Sequence, residues 1–465
     1  MRVIICGAGR VGYGIAAHLA SENNTVTVID VSADLVRTIT TELDVRGVVG
    51  HGAYPHVLKQ AGLESADMII AVTYSDEVNM VACQVAHSLF KTPTKVARVR
   101  SQPYLEREWN ELYTRKDLPI DIIISPEVEI GKAIRRRLKM PGAFNVVPFA
   151  DGRVRLLGVR IAEECPLINT PIRQIPALFP DLHAVVVGIE REGQIFATDP
   201  DDSISVGDNA YFISQADHAP RLLKIVGNTT EEVEHNATKK TRHVVIIGGG
   251  NIGLYVASGL ENTSSIRIRI IERDKKRAEH AAKNLKRTVI LNGDALLAEL
   301  QEEADIQNAE AVLCLTNDDK TNILSGVLAK KLGAKSAIVL INEISMQFIS
   351  SELPLDTIVD PRATTVSSIL RHVRRGRILD VYTLSDGQAE VLEGEVLETS
   401  SLVGKTLKEA DNVDGIAVGA IIHDGQVQVS SDSRTIKQGD RLILLTEKSA
   451  MKRVEQMFRA NINYF

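Results

Sequence analysis

Short apolar runs recur along the first part of the chain, each followed by a longer stretch with apolar positions at helical spacing. Arg2–Cys6, Thr25–Ile29, Val45–Val49, Met68–Val72, Val96–Val99 and Ile120–Ile124 read as strands, with helical patterns such as Val11–Ala20 between them. Near-continuous apolar strands alternating with helices predict a parallel sheet covered on both faces, the Rossmann-like doubly wound arrangement. Pro126 then opens a helix running through Met140, and Pro141-Gly142 ends it. Beyond it the texture changes. The shorter alternating runs Arg153–Arg160, His183–Glu190 and Asn209–Ile213 are separated by Asp-Gly, Glu-Gly and Gly-Asp turns, which predicts a small α+β module.

The same order then returns. Val3-Ile-Ile-Cys-Gly-Ala-Gly-Arg-Val-Gly12 reappears as Val244-Val-Ile-Ile-Gly-Gly-Gly-Asn-Ile-Gly253. Gly50 matches Gly293, Thr73 matches Thr316, and Asn79 matches Asn322. The turns at Asp151-Gly152 and Gly207-Asp208 match Asp386-Gly387 and Gly439-Asp440. The spacing drifts by a few residues, as insertions in loops produce. The chain is therefore a tandem duplication. Its expected divisions are 1–125 (Rossmann domain), 126–143 (connecting helix), 144–226 (small domain) and 227–241 (polar linker). The second copy divides into 242–360 (Rossmann domain), 361–380 (connecting helix, Pro361–Arg377) and 381–465 (small domain, including Val381–Leu445).

Composition narrows the function classes. With 44% hydrophobic and 25% charged residues, the chain has the balance of a globular protein with buried cores. A formal net charge of −6, only 4% aromatics and one tryptophan argue against nucleic acid as a partner. Its four cysteines form no CxxC pair. Cys6 and Cys314 fall inside predicted strands, which suggests buried thiols in a reducing cytoplasm. The first residues enter a strand directly, without a signal-peptide layout. No apolar run approaches the roughly 18–20 residues of a membrane helix. The histidines show no metal-ligand spacing, so no metal is expected.

Chemistry concentrates in the glycine-rich turns. Gly7-x-Gly9-x-x-Gly12 follows a strand and opens a helix, the context in which such a motif binds a nucleotide. Gly7 permits the tight turn, Gly9 lets backbone approach a pyrophosphate, and Gly12 lets helix and strand pack closely. The helix start offers unpaired N–H groups to phosphate. Asp30, at the end of the second strand, is placed to accept from a ribose 2′-hydroxyl. Gly248, Gly250, Gly253 and Glu272 repeat the set. A carboxylate there repels a 2′-phosphate, favouring NAD(H) or an adenine nucleotide over NADP. Thr73 and Tyr74, echoed by Thr316 and Asn317, follow the fourth strand; they read either as ribose or phosphate contacts or as the approach to a helix capped by Ser75 and Asp76.

Taken together, GAGRVG, the acid, GHGAYPHVLKQAG, ADMIIAVTYSDEVNMVACQVA and ARVR resemble the RCK (KTN) domains that regulate potassium conductance. The tandem order, each nucleotide domain followed by a small one, is similar to that of the peripheral regulatory subunits of bacterial Trk potassium uptake systems. That resemblance covers essentially the whole chain. It implies a cytoplasmic, peripheral ring of such units docked on a membrane-spanning potassium translocating subunit, with NAD(H) or ATP/ADP binding controlling ion flow. The family's nucleotide contacts then fall on Gly7, Ala8, Gly9, Arg10, Val11, Asp30, Thr73, Tyr74 and Arg98. In the second copy they fall on Gly248, Gly249, Gly250, Asn251, Ile252, Glu272, Thr316 and Asn317. Many RCK domains carry Gly-Asp where the first copy has Gly50-His51; the second keeps Gly293-Asp294.

The copies also differ in charge. Arg10 aligns with Asn251, and Arg98 falls near Val339, so the first site offers Arg10 and Arg98, with Arg100 beside them, as charge-assisted phosphate donors, while the second lacks the first two but has Arg273 and Lys275 just past Glu272. The first site is expected to hold the more highly charged phosphate. Basic clusters at Arg135-Arg136-Arg137 and at Arg371, Arg374 and Arg375 end both connecting helices, as a solvated last turn or as a surface for an acidic partner. Those junctions are the expected lever of a nucleotide switch. The rival class is an NAD-dependent dehydrogenase, but no His–Asp, Tyr–Lys or Cys–His constellation recurs in the copies and no catalytic residue is assigned.

Overall fold

The computed structural model describes residues 1–21, 24–105, 107–114, 117–179, 182–226, 241–343, 345–346, 353–373, 378–384, 387–411, 413–429 and 434–458. Residues 227–240 of the polar linker, Asp386 of the repeated turn, and Arg374 and Arg375 of the second basic cluster lie outside these.

In the first copy the strands are β1 (Arg2–Cys6), β2 (Thr25–Asp30), β3 (Arg46–Val49), β4 (Met68–Ala71), β5 (Thr94–Arg98) and β6 (Ile122–Ile124). They form one parallel sheet in the order β3-β2-β1-β4-β5-β6. The apolar runs thus form strands as their pattern predicts, shifted by one or two residues at the ends. Val3, Ile5, Cys6, Ile69, Ile70 and Ala71 are fully buried, as strands covered on both faces must be. After β6 comes the helix Pro126–Leu138. The small module follows with β7 (Asn145–Phe149), β8 (Val154–Arg160), β9 (Ala184–Arg191), β10 (Gln194–Ala197) and β11 (Asn209–Gln215), an antiparallel sheet ordered β10-β9-β11-β8-β7.

The second copy repeats this plan. Strands β12 (Arg242–Ile247), β13 (Ile266–Glu272), β14 (Val289–Asn292), β15 (Ala311–Cys314), β16 (Ala337–Leu340) and β17 (Thr357–Val359) lie in the order β14-β13-β12-β15-β16-β17. The helix Pro361–Val373 leads to β18 (Ile378–Leu384), β19 (Ala389–Glu395), β20 (Ile416–His423), β21 (Gln426–Val429) and β22 (Arg441–Glu447). Both halves are thus a Rossmann-like domain followed by a small α+β domain.

The two compact units of the chain are not its two copies. One gathers residues 1–131, 244–261 and 268–372, so it holds both Rossmann domains. The other gathers residues 132–243, 262–267 and 373–465, so it holds both small modules. In the first unit the contacts are reciprocal. A Cβ built on Gly14 would meet Val366 Cγ2 at 2.9 Å, and one on Gly131 would run into the ring of Tyr255. Gly14 and Tyr255 occupy matching places in the two copies, as do Gly131 and Val366.

In the second unit the small sheets share one apolar core. Val147, Leu156, Val187 and Ile213 of the first module pack with Val391, Ala417, Ile443 and Leu445 of the second. Polar groups at the rim are satisfied across the pair. Ala150 N–H donates to Glu393 at 2.7 Å, Ala197 N–H to Glu447 at 3.0 Å, and Gln215 to the Val427 carbonyl at 2.9 Å. Each module therefore buries its apolar face against the other, within one chain.

Candidate functional site

Both glycine loops sit at the carboxyl edge of their sheets. Gly7 (φ 114°) and Gly248 (φ 107°) take the left-handed backbone that lets the chain turn from strand to helix. Their N–H groups donate to Ile29 and Ile271 carbonyls at 2.7 and 2.9 Å, tying each turn to the neighbouring strand. The third glycines, Gly12 and Gly253, lie so close to the carbonyl oxygens of Gly7 and Gly248 that a Cβ would collide with them. The middle glycines differ. Gly9 and Gly250 are not left-handed, and a methyl built on either meets no atom within 4 Å. Among the described residues nothing requires glycine there; the bare backbone faces open space. That space lies at the start of the helices Arg10–Ser21 and Asn251–Glu261.

The acids close onto these loops. Asp30 accepts from Ala8 N–H at 2.7 Å and Ser32 N–H at 2.9 Å. Glu272 accepts from Gly249 N–H at 2.7 Å and Asp274 N–H at 2.8 Å, with Arg277 at 3.6 Å. Each carboxylate therefore orients the loop backbone through two N–H groups.

Thr73 serves structure first. Its N–H and hydroxyl both donate to Asn79 Oδ1, at 2.8 and 2.7 Å, and the Asn79 amide donates to the Thr73 and Arg98 carbonyls at 3.2 and 2.9 Å. Asn322 does the same with Thr316 and the Leu340 carbonyl. These asparagines, fully buried, pin the ends of β4 to β5 and of β15 to β16. Tyr74 stands 86% exposed, with the Arg100 guanidinium 5.6 Å from its ring centre. Asp76, besides starting its helix, accepts from the Arg100 and Ser101 N–H groups; Asp319 does the same for Asn342 and Glu343. Repetition of Asp and Asn in both copies was the signal for these brackets; their partners, about 20 residues downstream, carried none.

At the end of β5 the first copy has an unsatisfied polar cluster. Arg98 Nε, Ser125 Oγ and Glu127 Oε2 are buried without a hydrogen-bond partner among the described residues. Glu127 Oε1 accepts from Arg100 Nε at 3.0 Å. Burial, then repulsion from Arg100, lowers the pKa of Arg98, while Arg100 is raised against its own burial by the bond to Glu127. The second copy is closed at this place. Arg362 lies against Asp360 through two contacts at 3.2 and 2.9 Å. The strand register pairs Ala71 with Ala97 and Cys314 with Val339, so Leu340, one residue beyond Val339, is the counterpart of Arg98. Arg10 does not point alone into the first site. It reaches the second Rossmann domain, donating to the Asn342 carbonyl and pairing with Glu343, both at 3.2 Å.

The expected site residues of the first copy, Gly7 to Gly12, Asp30, Thr73, Tyr74 and Arg98, thus lie at the carboxyl ends of neighbouring strands and in the segments that follow them; Gly248 to Gly253, Glu272, Thr316 and Asn317 lie likewise in the second. Among the described residues no cluster of potential metal ligands occurs, and no helix is long and apolar enough to cross a membrane.

Known proteins match over the whole chain. The TrkA-N domain family matches residues 3–126 and 244–361, and the TrkA-C domain family residues 156–227 and 391–459. The chain is 47% identical to the Trk system potassium uptake protein TrkA of Azorhizobium caulinodans, covering 100% of both chains. It is 39% identical to that of Halomonas elongata, again over 100% of both. Among solved structures, the GsuK channel bound to NAD superposes with a TM-score of 0.59 at 17% identity, covering 99% of this chain and 79% of that one. The GsuK RCK domain gives 0.58 at 18% identity, covering 99% and 95%.

Proposed function

The chain belongs to the TrkA family of Trk system potassium uptake proteins, and from that premise we propose that it is the nucleotide-sensing subunit that gates potassium uptake through a membrane-spanning partner. Its family is one of potassium uptake proteins and not of enzymes, which sets the dehydrogenase reading aside. The observation that carries the nucleotide reading is the pair Gly9 and Gly250. Both are glycines that neither backbone conformation nor packing demands, at a helix start beside an acid. Gly7 to Gly12 would hold a pyrophosphate and Asp30 a ribose, with Gly248 to Gly253 and Glu272 doing the same in the second site. NAD(H) and ATP/ADP are the ligands of that shape, and the GsuK channel, which has the same fold, is known bound to NAD.

The two sites would differ in charge. The first has Arg98 and Arg100 at the end of β5, with Arg98 Nε unpartnered among the described residues, whereas the second has Leu340 in place of Arg98 and an Arg362 already paired with Asp360. The first then takes the more highly charged phosphate. A ligand shifts gating only through unequal affinity for two arrangements, and about 1–3 kcal/mol of difference is enough. The connecting helices Pro126–Leu138 and Pro361–Val373, which pass from the Rossmann domains to the small modules, are the levers, in a cytoplasmic ring docked peripherally on the membrane subunit. Complementation tests this. In cells lacking their own copy, the wild-type chain should restore potassium-limited growth and an Asp30→Ala/Glu272→Ala variant, equally abundant, should not. Equal rescue by both would overturn the sensor reading.

A further inference from the structure

Resting on that nucleotide reading, we infer that the two sites select different bases, because the turn beyond each acid offers a ring donor in one copy and a carboxylate acceptor in the other. Along the sheet edge the glycine loop follows β1, the acid ends β2, and the next loop follows β3. In the first copy that loop is Gly50-His51-Gly52-Ala53-Tyr54. Gly50 N–H donates to the Asp30 carbonyl at 2.9 Å, and Gly52 lies against Cys6, whose Sγ is 3.6 Å from the Gly52 carbonyl. The turn therefore adjoins both acid and glycine loop, on the side where the base of a nucleotide extends past its ribose.

The second copy builds the same turn. Gly293 N–H donates to the Glu272 carbonyl at 3.1 Å, and Leu297 N–H to the Asp294 carbonyl at 3.1 Å, as Tyr54 N–H does to the His51 carbonyl at 3.0 Å. Inside the turn the two side chains play the same part and differ in what they leave over. Asp294 Oδ1 accepts from Leu296 N–H at 2.9 Å, and His51 Nδ1 accepts from Ala53 N–H at 3.3 Å. An imidazole that accepts at Nδ1 carries its proton on Nε2, so its remaining edge is a donor. The Asp294 carboxylate keeps only acceptors. The surfaces beside them differ too. The His51 and Tyr54 rings stack at 4.4 Å and 23°, and His56 lies 5.9 Å from Tyr54. Tyr54 is 52% exposed, a shelf on which a base can lie. The second copy has Leu296 and Leu297 there, 39% and 58% exposed.

A carboxylate takes the exocyclic amino hydrogens of adenine and repels the carbonyl oxygen of hypoxanthine. A ring N–H accepts no such penalty from a carbonyl, and an aromatic shelf stacks on any base. The second site therefore demands an amino purine, and the first tolerates an oxo purine.

ADP and IDP distinguish the two. Each is titrated against the full chain carrying Glu272→Ala, which reports the first site, and Asp30→Ala, which reports the second. The second site should prefer ADP by about tenfold or more and the first should hold both within about threefold. His51→Asp, which installs the residue of the sister turn, should bring the first site to the ADP preference of the second. Asp294→His should abolish it there. Tyr54→Ala should weaken both ligands about equally at the first site, by roughly fivefold or more. Equal ADP:IDP ratios at the two sites, or a ratio unmoved by His51→Asp, would overturn the base assignment while leaving nucleotide binding intact. Absence of binding to the wild-type chain by ADP and IDP, and by NADH, NAD and ATP titrated beside them, would overturn the nucleotide reading on which the assignment rests.

Discussion

Gly9→Ala separates a glycine kept for folding from one kept for a ligand. The residue is not left-handed, and the added methyl meets nothing within 4 Å. Its carbonyl accepts from Tyr13 N–H at 2.8 Å, which makes it the cap of the helix Arg10–Ser21. Alanine is a poorer cap than glycine, but it also loses less entropy on folding. These effects oppose, and the net change in stability should stay within about 1 kcal/mol. Gly12→Ala is the contrast. Its Cβ would strike the Gly7 carbonyl oxygen, forcing loop and helix apart at a cost on the order of 2–4 kcal/mol. For the ligand the ranking reverses in cause. The Gly9 methyl occupies the space where phosphate oxygens would approach the backbone, and losing those charge-assisted bonds costs roughly 2 kcal/mol, about thirtyfold in affinity. Urea unfolding and nucleotide titration of the same preparations read both numbers. A Gly9→Ala chain that binds as tightly as wild type would refute the reasoning, as would one destabilised as much as Gly12→Ala.

Three further outcomes follow from the same geometry. Arg98→Leu installs the residue of the second copy; affinity for ATP at the first site should fall about tenfold or more, while urea stability stays equal or rises because burial opposes the arginine's charge. Lower stability with unchanged affinity would make Arg98 a structural residue. Asn79→Ala removes an amide that closes four hydrogen bonds and should lower stability by roughly 2–4 kcal/mol, with Asn322→Ala close behind; a change under about 0.5 kcal/mol would contradict the bracket described for both. Burial pushes the Cys6 thiol up to about 12 and also raises Cys83, Cys314 and Cys165, so the thiols stay protonated at pH 8. Alkylation there should be slow in the folded chain and fast in denaturant; rapid labelling of the folded chain would contradict their placement.

The fold was legible wherever a local pattern had one physical solution. Apolar runs such as Met68–Ala71 can only be buried strands, and Gly7 and Gly248 at strand ends can only be tight turns. The duplication was legible for the same reason, since it repeats those signals in order. What a face packs against is not a local property. The alternating run that forms β9 was expected, but not that its Val187 would share one core with Leu445 of β22. Arg10 shows the limit most clearly. As a residue beside a glycine loop it reads as a phosphate donor, yet its partner, Glu343, lies in the other copy. Likewise, residue spacing sets Arg98 near Val339, and the strand register makes Leu340 its counterpart. His51 looked like a departure from the Gly-Asp pattern; its acceptor nitrogen fills the role of the Asp294 carboxylate in the turn.

The central claim is that the chain binds nucleotide at two sites and responds to it. Calorimetric titration of the purified full chain with NADH, NAD, ADP and ATP, beside the Asp30→Ala/Glu272→Ala variant, tests it most directly. The account predicts tight, saturable binding by the wild type, no turnover, and loss of that binding in the variant. Wild-type protein that binds none of the four, or a variant that binds them unchanged, would contradict it.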